Sequence, residues 1–217
     1  PYIAGDLGPI ISQATGTAFA QKYRKSDAVT VVSFGDGTSN RGDFHEAINL
    51  GATWRLPVVY IIQNNRYAIS TRIDKATAAK RLAHRAVGYG IPGVSVDGND
   101  VLAVHGAVQE AVRRARAGLG PTLIEAETFR MRGHIAADTA AYRPTVEVEE
   151  WKDRDPICRL EERLIAARVI SDVDVQDIWA AVRSEVEAAK AAAQQHPDIL
   201  PADLGLDEMF STPMGEG

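Results

Sequence analysis

Cysteine is almost missing from the 217-residue chain, which carries only Cys158. An intramolecular disulfide framework is thereby excluded, as is any multi-cysteine zinc or iron–sulfur site, and a lone thiol fits a reducing compartment. Positive charge is not in excess. Lys and Arg total 24 against 29 Asp and Glu, a net charge of −5. A duplex-binding domain carries a basic surplus, so nucleic acid is not expected as a partner. No apolar run approaches the roughly 18 residues of a membrane span, and no membrane association is expected. There is no initiating Met and no basic-then-apolar leader: the chain opens on Pro1, Gly5 and Gly8. It reads as the remainder of a longer polypeptide, or as a processed or split subunit, with a cytoplasmic, bacterial-like location.

What is present is ordinary globular composition, 45% apolar and 24% charged, which excludes a mainly disordered or low-complexity chain. At roughly 150 residues per domain, the length suits one large domain, or one domain with an appendage. The pattern predicts a buried helix over residues 10–23 and a β-branched strand over 28–34. A helix over 44–54 and a strand over 58–62 follow. Residues 75–87 are polar and helix-prone. A strand at 94–96, a helix over 101–117 and a strand at 122–126 complete an alternation that predicts an α/β fold with a mainly parallel sheet. An irregular loop, 129–142, comes next. Asp155-Pro156 opens a helix, and Val175, Ile178, Trp179, Val182 and Val186 mark another, running to about Gln195. The expected organisation is an α/β domain over 1–145, C-terminal helices over 146–195 and an extended tail over 196–217.

The chemistry sits at two strand ends. The first expected strand runs into Gly35-Asp36-Gly37 and the second into Asn64-Asn65, with 26 residues between Gly37 and Asn64. One helix fills that interval, so Asp36 and Asn65 leave the carboxyl ends of two strands of one βαβ unit, the edge where open α/β sheets bind ligands. A carboxylate and an amide oxygen are hard ligands for magnesium, which completes its shell with phosphate oxygens and water. Glycines beside the carboxylate let a diphosphate approach the backbone.

Gly-Asp-Gly, about 26 residues, then Asn-Asn resembles the signature of thiamine diphosphate enzymes. The stretches FGDGTSNRGDFHEAINLGATWRLPVVYIIQNNRYAIST, GYGIPGVSVDGND, GPTLIEAETFRMRGH and AYR resemble the alpha subunit of the decarboxylating first component of 2-oxo acid dehydrogenase complexes. The likeness extends over residues 1–190. It implies a thiamine diphosphate-binding fold with thiamine diphosphate and Mg2+ as cofactors. Asp36, Asn65 and the Tyr67 carbonyl would bind the metal, and Gly37 and Thr38 the diphosphate. The backbone of Gly5 and Leu7 would contact the aminopyrimidine. His134 would be catalytic, on a loop that Arg130 helps to order. The implied reaction is decarboxylation of a 2-oxo acid with acyl transfer to a lipoyl group. Its partners would be a beta subunit, in a two-alpha, two-beta heterotetramer, and the lipoyl domain of a dihydrolipoyl acyltransferase.

The chain departs from that family in two respects. Family members carry an N-terminal segment with a Tyr-Arg pair at the active site, which has no counterpart before Pro1. Ile135 stands where mammalian members place a regulatory serine, which argues against phosphorylation there. NNRYAIST, GYGIPG and VDGND resemble branched-chain and bacterial pyruvate members more than mammalian pyruvate members. An acetoin-type dehydrogenase and a non-catalytic remnant that only pairs with a partner stay open as alternatives.

Simpler readings cover the remaining features. Gly88–Gly93 fits G-x-G-x-x-G, but it follows a helical stretch and leads into a strand. It reads as a helix stop rather than a nicotinamide site. Asn64 reads as a turn residue, His45 as structural and Cys158 as a packing residue. The Trp179 stripe reads as core or interface. Glu147, Glu149 and Glu150 read as a solvated face.

Overall fold

The computed structural model describes residues 7–198, and it divides the chain into two compact units, Pro1–Glu162 and Arg163–Gly217. The first unit opens with α1 (Pro9–Tyr23), where Pro9 supplies the fixed φ favoured at a helix start. Strand β1 (Thr30–Gly35), helix α2 (Gly42–Thr53) and strand β2 (Val58–Asn64) follow, with a short 3₁₀ turn at Thr38–Asn40. A two-residue hairpin comes next, β3 (Tyr67–Ala68) and β4 (Thr71–Arg72), leading into a single turn of helix, α3 (Ile73–Ala76). A 3₁₀ segment, Leu82–Tyr89, precedes β5 (Gly93–Asp97), α4 (Val101–Arg116) and β6 (Thr122–Glu127). Two further helices are α5 (Thr145–Lys152) and α6 (Pro156–Ala166).

The sheet order is β1-β2-β6-β5, with every pair parallel. This is the expected α/β fold. Central strands of such a sheet are covered on both faces, which is why β2 opens on a continuous apolar run, Val58 to Ile62, and why β6 is buried from Thr122 to Ala126. On one face Val32, Phe34, Val58, Tyr60, Ile62 and Leu123 pack against Ile11 and Ala18 of α1 and Phe44, Ala47 and Ile48 of α2. On the other, Val59 and Ile124 meet Ala111 of α4. Tyr60 is fully buried, but its hydroxyl is satisfied by Thr15 Oγ1 at 2.8 Å, and burial pushes its pKa up to about 12. Helix α4 starts at Asp100, whose carboxylate accepts from the Leu102 and Ala103 amides at 3.0 and 3.1 Å.

Four sequence expectations change. The helix-prone stretch 75–87 is interrupted: the helix stops at Ala76, and a 3₁₀ segment begins only at Leu82. Within the gap the Thr77 hydroxyl accepts from the Ala79 amide, local bonding that competes with helix continuation, and Arg81 pairs with the distant Glu127 of β6. Cys158 is exposed rather than packed, one turn into a helix whose first amides bond to Asp155 Oδ1. Glu147 is buried, whereas Glu149 and Glu150 are exposed as expected. In the second unit α7 (Asp172–Gln195) has a Ser171–Asp174 capping box, and its stripe of Trp179, Val182 and Val186 is exposed, which overturns the core half of that expectation and not the interface half. The Gly88–Gly93 segment is a helix stop: Gly90 adopts φ +68° and Gly93 opens β5. Of the expected tail, residues 199–217 lie outside the described residues.

Candidate functional site

Parallel register brings four strand ends to one edge. Gly35 pairs with Gln63, Gln63 with Ala126, and Ala126 with Val96. Asp36, Asn65, Thr128 and Asp97 therefore leave the sheet on the same side. Asp36 is 1% exposed, and its Oδ2 is buried with no hydrogen-bond partner. Burial raises its pKa, against the lowering effect of the Asp36, Asn65 and Gly37 amides and of the Arg130 charge. A carboxylate oxygen withdrawn from water with nothing to accept from costs free energy unless a cation meets it.

The neighbouring turn is closely packed. Ser39 donates both its amide (3.2 Å) and its hydroxyl (2.6 Å) to the Asp36 carbonyl. Thr38 is buried beside it. A Cβ on Gly37 would lie 2.6 Å from the Ala68 Cβ, so glycine is required where the hairpin crosses the turn. Arg85 fastens the same turn from the 3₁₀ segment 82–89. Its guanidinium donates to the Ser39 carbonyl, to Ser39 Oγ at 3.1 Å and to Asn40 Oδ1 at 2.6 Å.

After β2 the chain reverses through Arg66, which sits in the left-handed region at φ 72°. Asn64 Oδ1 accepts from the Arg66 amide and Asn65 Oδ1 from the Tyr67 amide, each at 3.2 Å. Tyr67 is anchored by its side chain. Its ring packs among Phe129 and Trp151, and its hydroxyl donates to Glu147 Oε2 at 2.6 Å. Burial, then the hydrogen bond to Glu147, raises the phenol's pKa. Arg66 and Arg72 flank Glu147, both at 3.8 Å.

The loop after β6 is held by Arg130 and Asp138. Arg130 donates to the Tyr67 carbonyl at 3.1 Å, to the Ile69 carbonyl and to the Tyr142 hydroxyl at 2.9 Å. Asp138 accepts from the His134 amide (2.7 Å), the Tyr142 hydroxyl (2.7 Å) and the Ala140 amide (2.8 Å), which pulls its pKa down to about 2. His134 is exposed, with Nδ1 3.4 Å from Arg130. A guanidinium can only donate, so Nδ1 faces it as an acceptor and a neutral ring carries its proton on Nε2.

The structure thus brings Asp36, Gly37, Thr38, Asn65, Tyr67 and Arg130 together, with His134 attached through Arg130. Leu7 is exposed at the start of the described chain, and Gly5 lies outside the described residues. Sequence reasoning missed Arg85, Tyr142 and Glu147 as parts of this assembly. A cavity of about 620 Å3 lined by Ser33, Gln63, Asn65, Thr128 and Arg130 opens beside it.

These groups fit a magnesium–diphosphate unit. Among the described residues no three His, Cys, Asp or Glu side chains converge into a protein-only metal cage. Magnesium does not need one, because it is held by one or two carboxylates with substrate phosphates and water. Asp36 Oδ2 offers the unmatched charge. The Tyr67 carbonyl keeps a lone pair beyond the one that meets Arg130. No helix of the described residues is long and apolar enough to cross a membrane.

A family model described as "Dehydrogenase E1 component" matches residues 3–201. The chain is 40% identical over 204 residues to the pyruvate dehydrogenase E1 component subunit alpha of Rhizobium meliloti, covering 94% of this chain and 59% of that one. It is 41% identical over 202 residues to the 2-oxoisovalerate dehydrogenase subunit alpha of Bacillus subtilis, covering 93% and 61%. It is 40% identical over 215 residues to the 3-methyl-2-oxobutanoate dehydrogenase subunit alpha of Mycobacterium tuberculosis, covering 97% and 56%. The chain spans a little over half the length of these relatives.

Proposed function

The chain belongs to the dehydrogenase E1 component family, and on that premise we propose that it is the diphosphate-binding part of an alpha subunit that oxidatively decarboxylates a 2-oxo acid. The observation that supports this most is the buried, unpartnered Asp36 Oδ2 beside Gly37 and the 64–67 loop. When bound, thiamine diphosphate supplies the electron sink for decarboxylation.

Each of the chain's own residues has a role in this reading. Asp36, Asn65 and the Tyr67 carbonyl hold Mg2+, and Gly37 and Thr38 receive the diphosphate. On the family likeness, the backbone of Gly5 and Leu7 would meet the aminopyrimidine. Arg130 keeps the Tyr67 carbonyl in place through its 3.1 Å hydrogen bond while tying the 129–142 loop to the β3–β4 hairpin. His134 then lends the Nε2 proton to a lipoyl sulfur as the acyl unit is handed over. Completion of the active site falls to a beta subunit, and the lipoyl group belongs to a partner acyltransferase. The substrate class is pyruvate or a branched-chain 2-oxo acid, the two kinds named among the relatives.

The test is decarboxylation of pyruvate and of 3-methyl-2-oxobutanoate with an artificial electron acceptor, using the alpha chain with and without its beta subunit. Turnover is expected only with both subunits, thiamine diphosphate and Mg2+. Robust turnover by this chain alone, or turnover indifferent to thiamine diphosphate, would overturn the reading.

A further inference from the structure

Glu125 lies in the middle of β6, 1% exposed, among fully buried side chains. A carboxyl group at such a depth is retained against a large desolvation cost, so its partners show what it is kept for. Each of its oxygens accepts from a different segment. Oε1 takes the Nδ2–H of Asn64 at 2.8 Å, and Oε2 takes the backbone N–H of Ala83 at 3.0 Å and, more weakly, the Ser95 hydroxyl of β5 at 3.4 Å.

The Asn64 and Ala83 segments carry the two halves of the candidate site. Through Asn64, whose Oδ1 holds the Arg66 amide at 3.2 Å, Glu125 reaches the loop that presents Asn65 and the Tyr67 carbonyl. Through Ala83 it satisfies an orphan amide at the start of the 82–89 segment. That segment places Arg85 on Ser39 and Asn40, the turn that follows Asp36 and Gly37. One buried side chain therefore ties the 64–67 loop to the segment that fastens the 38–40 turn. We propose that Glu125 is the positioning residue of the magnesium–diphosphate site. The proposal rests on the functional reading above and extends it to a residue outside the motif.

The chemistry of the pair makes it separable from mere packing. Glu125→Gln keeps shape and volume but turns one acceptor into a donor. If the new amide faces Asn64, donor meets donor. Asn64 then relaxes only by flipping, which withdraws Oδ1 from the Arg66 amide and frees the loop. Asn64→Asp sets two carboxyl groups face to face, and they stay bonded only by holding a proton between them, at a cost that grows with pH. The double variant, Glu125→Gln with Asn64→Asp, reverses the polarity of the bond. Asp at 64 has one oxygen for the Arg66 amide and one for the new Gln amide, while the Gln oxygen still serves Ala83.

The experiment is calorimetric titration of thiamine diphosphate with Mg2+ into the complete alpha chain assembled with its beta subunit, with melting temperature followed in parallel. Each single variant is expected to bind about tenfold more weakly or worse, the cost of one buried unmet hydrogen bond. The double variant is expected to recover to within about threefold, as a reciprocal pair should. Singles that fold and bind like wild type, even with a lower melting temperature, mark Glu125 as structural only and overturn the proposal. A double variant no better than the weaker single does the same. Where Glu125→Gln does not fold, Asn64→Asp decides the matter, because it keeps an acceptor for the Arg66 amide and alters only the contact with Glu125: weaker binding supports the proposal and wild-type binding overturns it. Asp36→Ala is the reference. If it too keeps wild-type affinity, the site reading itself fails; if it alone loses binding, only the role of Glu125 does.

Discussion

Replacing Asp36 by Asn should make the unliganded protein more stable and the cofactor site useless. Asparagine fills the same space without charge, and so removes the penalty of a buried carboxylate whose Oδ2 has no partner. The amide still meets no partner there, but relief of the buried charge contributes on the order of 1 kcal/mol, or roughly 2–4 °C in melting temperature for a chain of this size. Binding moves the other way. The substitution takes away the carboxylate of a metal site that has few others, and a loss on the order of 100-fold corresponds to about 3 kcal/mol. pH gives a second, independent signature. Burial holds the Asp36 pKa above its ordinary value, so between those two values the folded chain keeps a proton that the unfolded chain has released. Stability therefore falls as pH rises through that window, and Asp36→Asn should flatten the fall. Metal-dependent binding should weaken as pH drops through the same window, because protons then compete with Mg2+. Scanning calorimetry of the unliganded protein and titration of thiamine diphosphate with Mg2+ check both halves. A variant with a lower melting temperature and unchanged cofactor affinity would be incompatible with this role for Asp36.

Asp138, with its pKa held near 2 by the His134 amide, the Tyr142 hydroxyl and the Ala140 amide, should stay ionised through pH 4. Its support of the loop is full above the ordinary value of 3.8 and lost as pH falls toward 2. Asp138→Asn should remove that support at every pH, which limited proteolysis within 129–142 at pH 7 would report as faster cleavage. His134→Ala should reduce acylation of a lipoyl domain at least tenfold more than decarboxylation measured with an artificial acceptor, as expected of a proton donor in one step only. Equal losses in both assays would instead assign the ring to cofactor anchoring.

The strand-end motif was legible because its parts sit at fixed points of one βαβ unit: Asp36 one residue past β1, Asn65 one past β2, and register carries both to the same edge. Glu147 was not legible. Its eight-residue helix, Thr145–Lys152, holds three glutamates, and local pattern alone gives all three to solvent. Only the fold brings Tyr67 from 80 positions away to bury one of them. The β3–β4 hairpin is two residues per strand, too short for any periodicity to register. Arg85 looked like one more cation in a polar stretch, because its partners at Ser39 and Asn40 lie more than 40 residues upstream. Glu125 was read as part of a strand; nothing in so short a strand pattern distinguishes a buried acceptor of three remote donors.

If this chain builds the magnesium–diphosphate half of a thiamine diphosphate site around Asp36, Asn65 and Tyr67, cofactor binding must depend on the metal. Calorimetric binding of thiamine diphosphate to the alpha chain with its beta subunit, once with Mg2+ and once with the metal chelated, measures that dependence. Saturable binding is expected with Mg2+, weakened by on the order of 100-fold on chelation. Equal affinity in the two titrations, or no binding of thiamine diphosphate in either, would contradict the assignment.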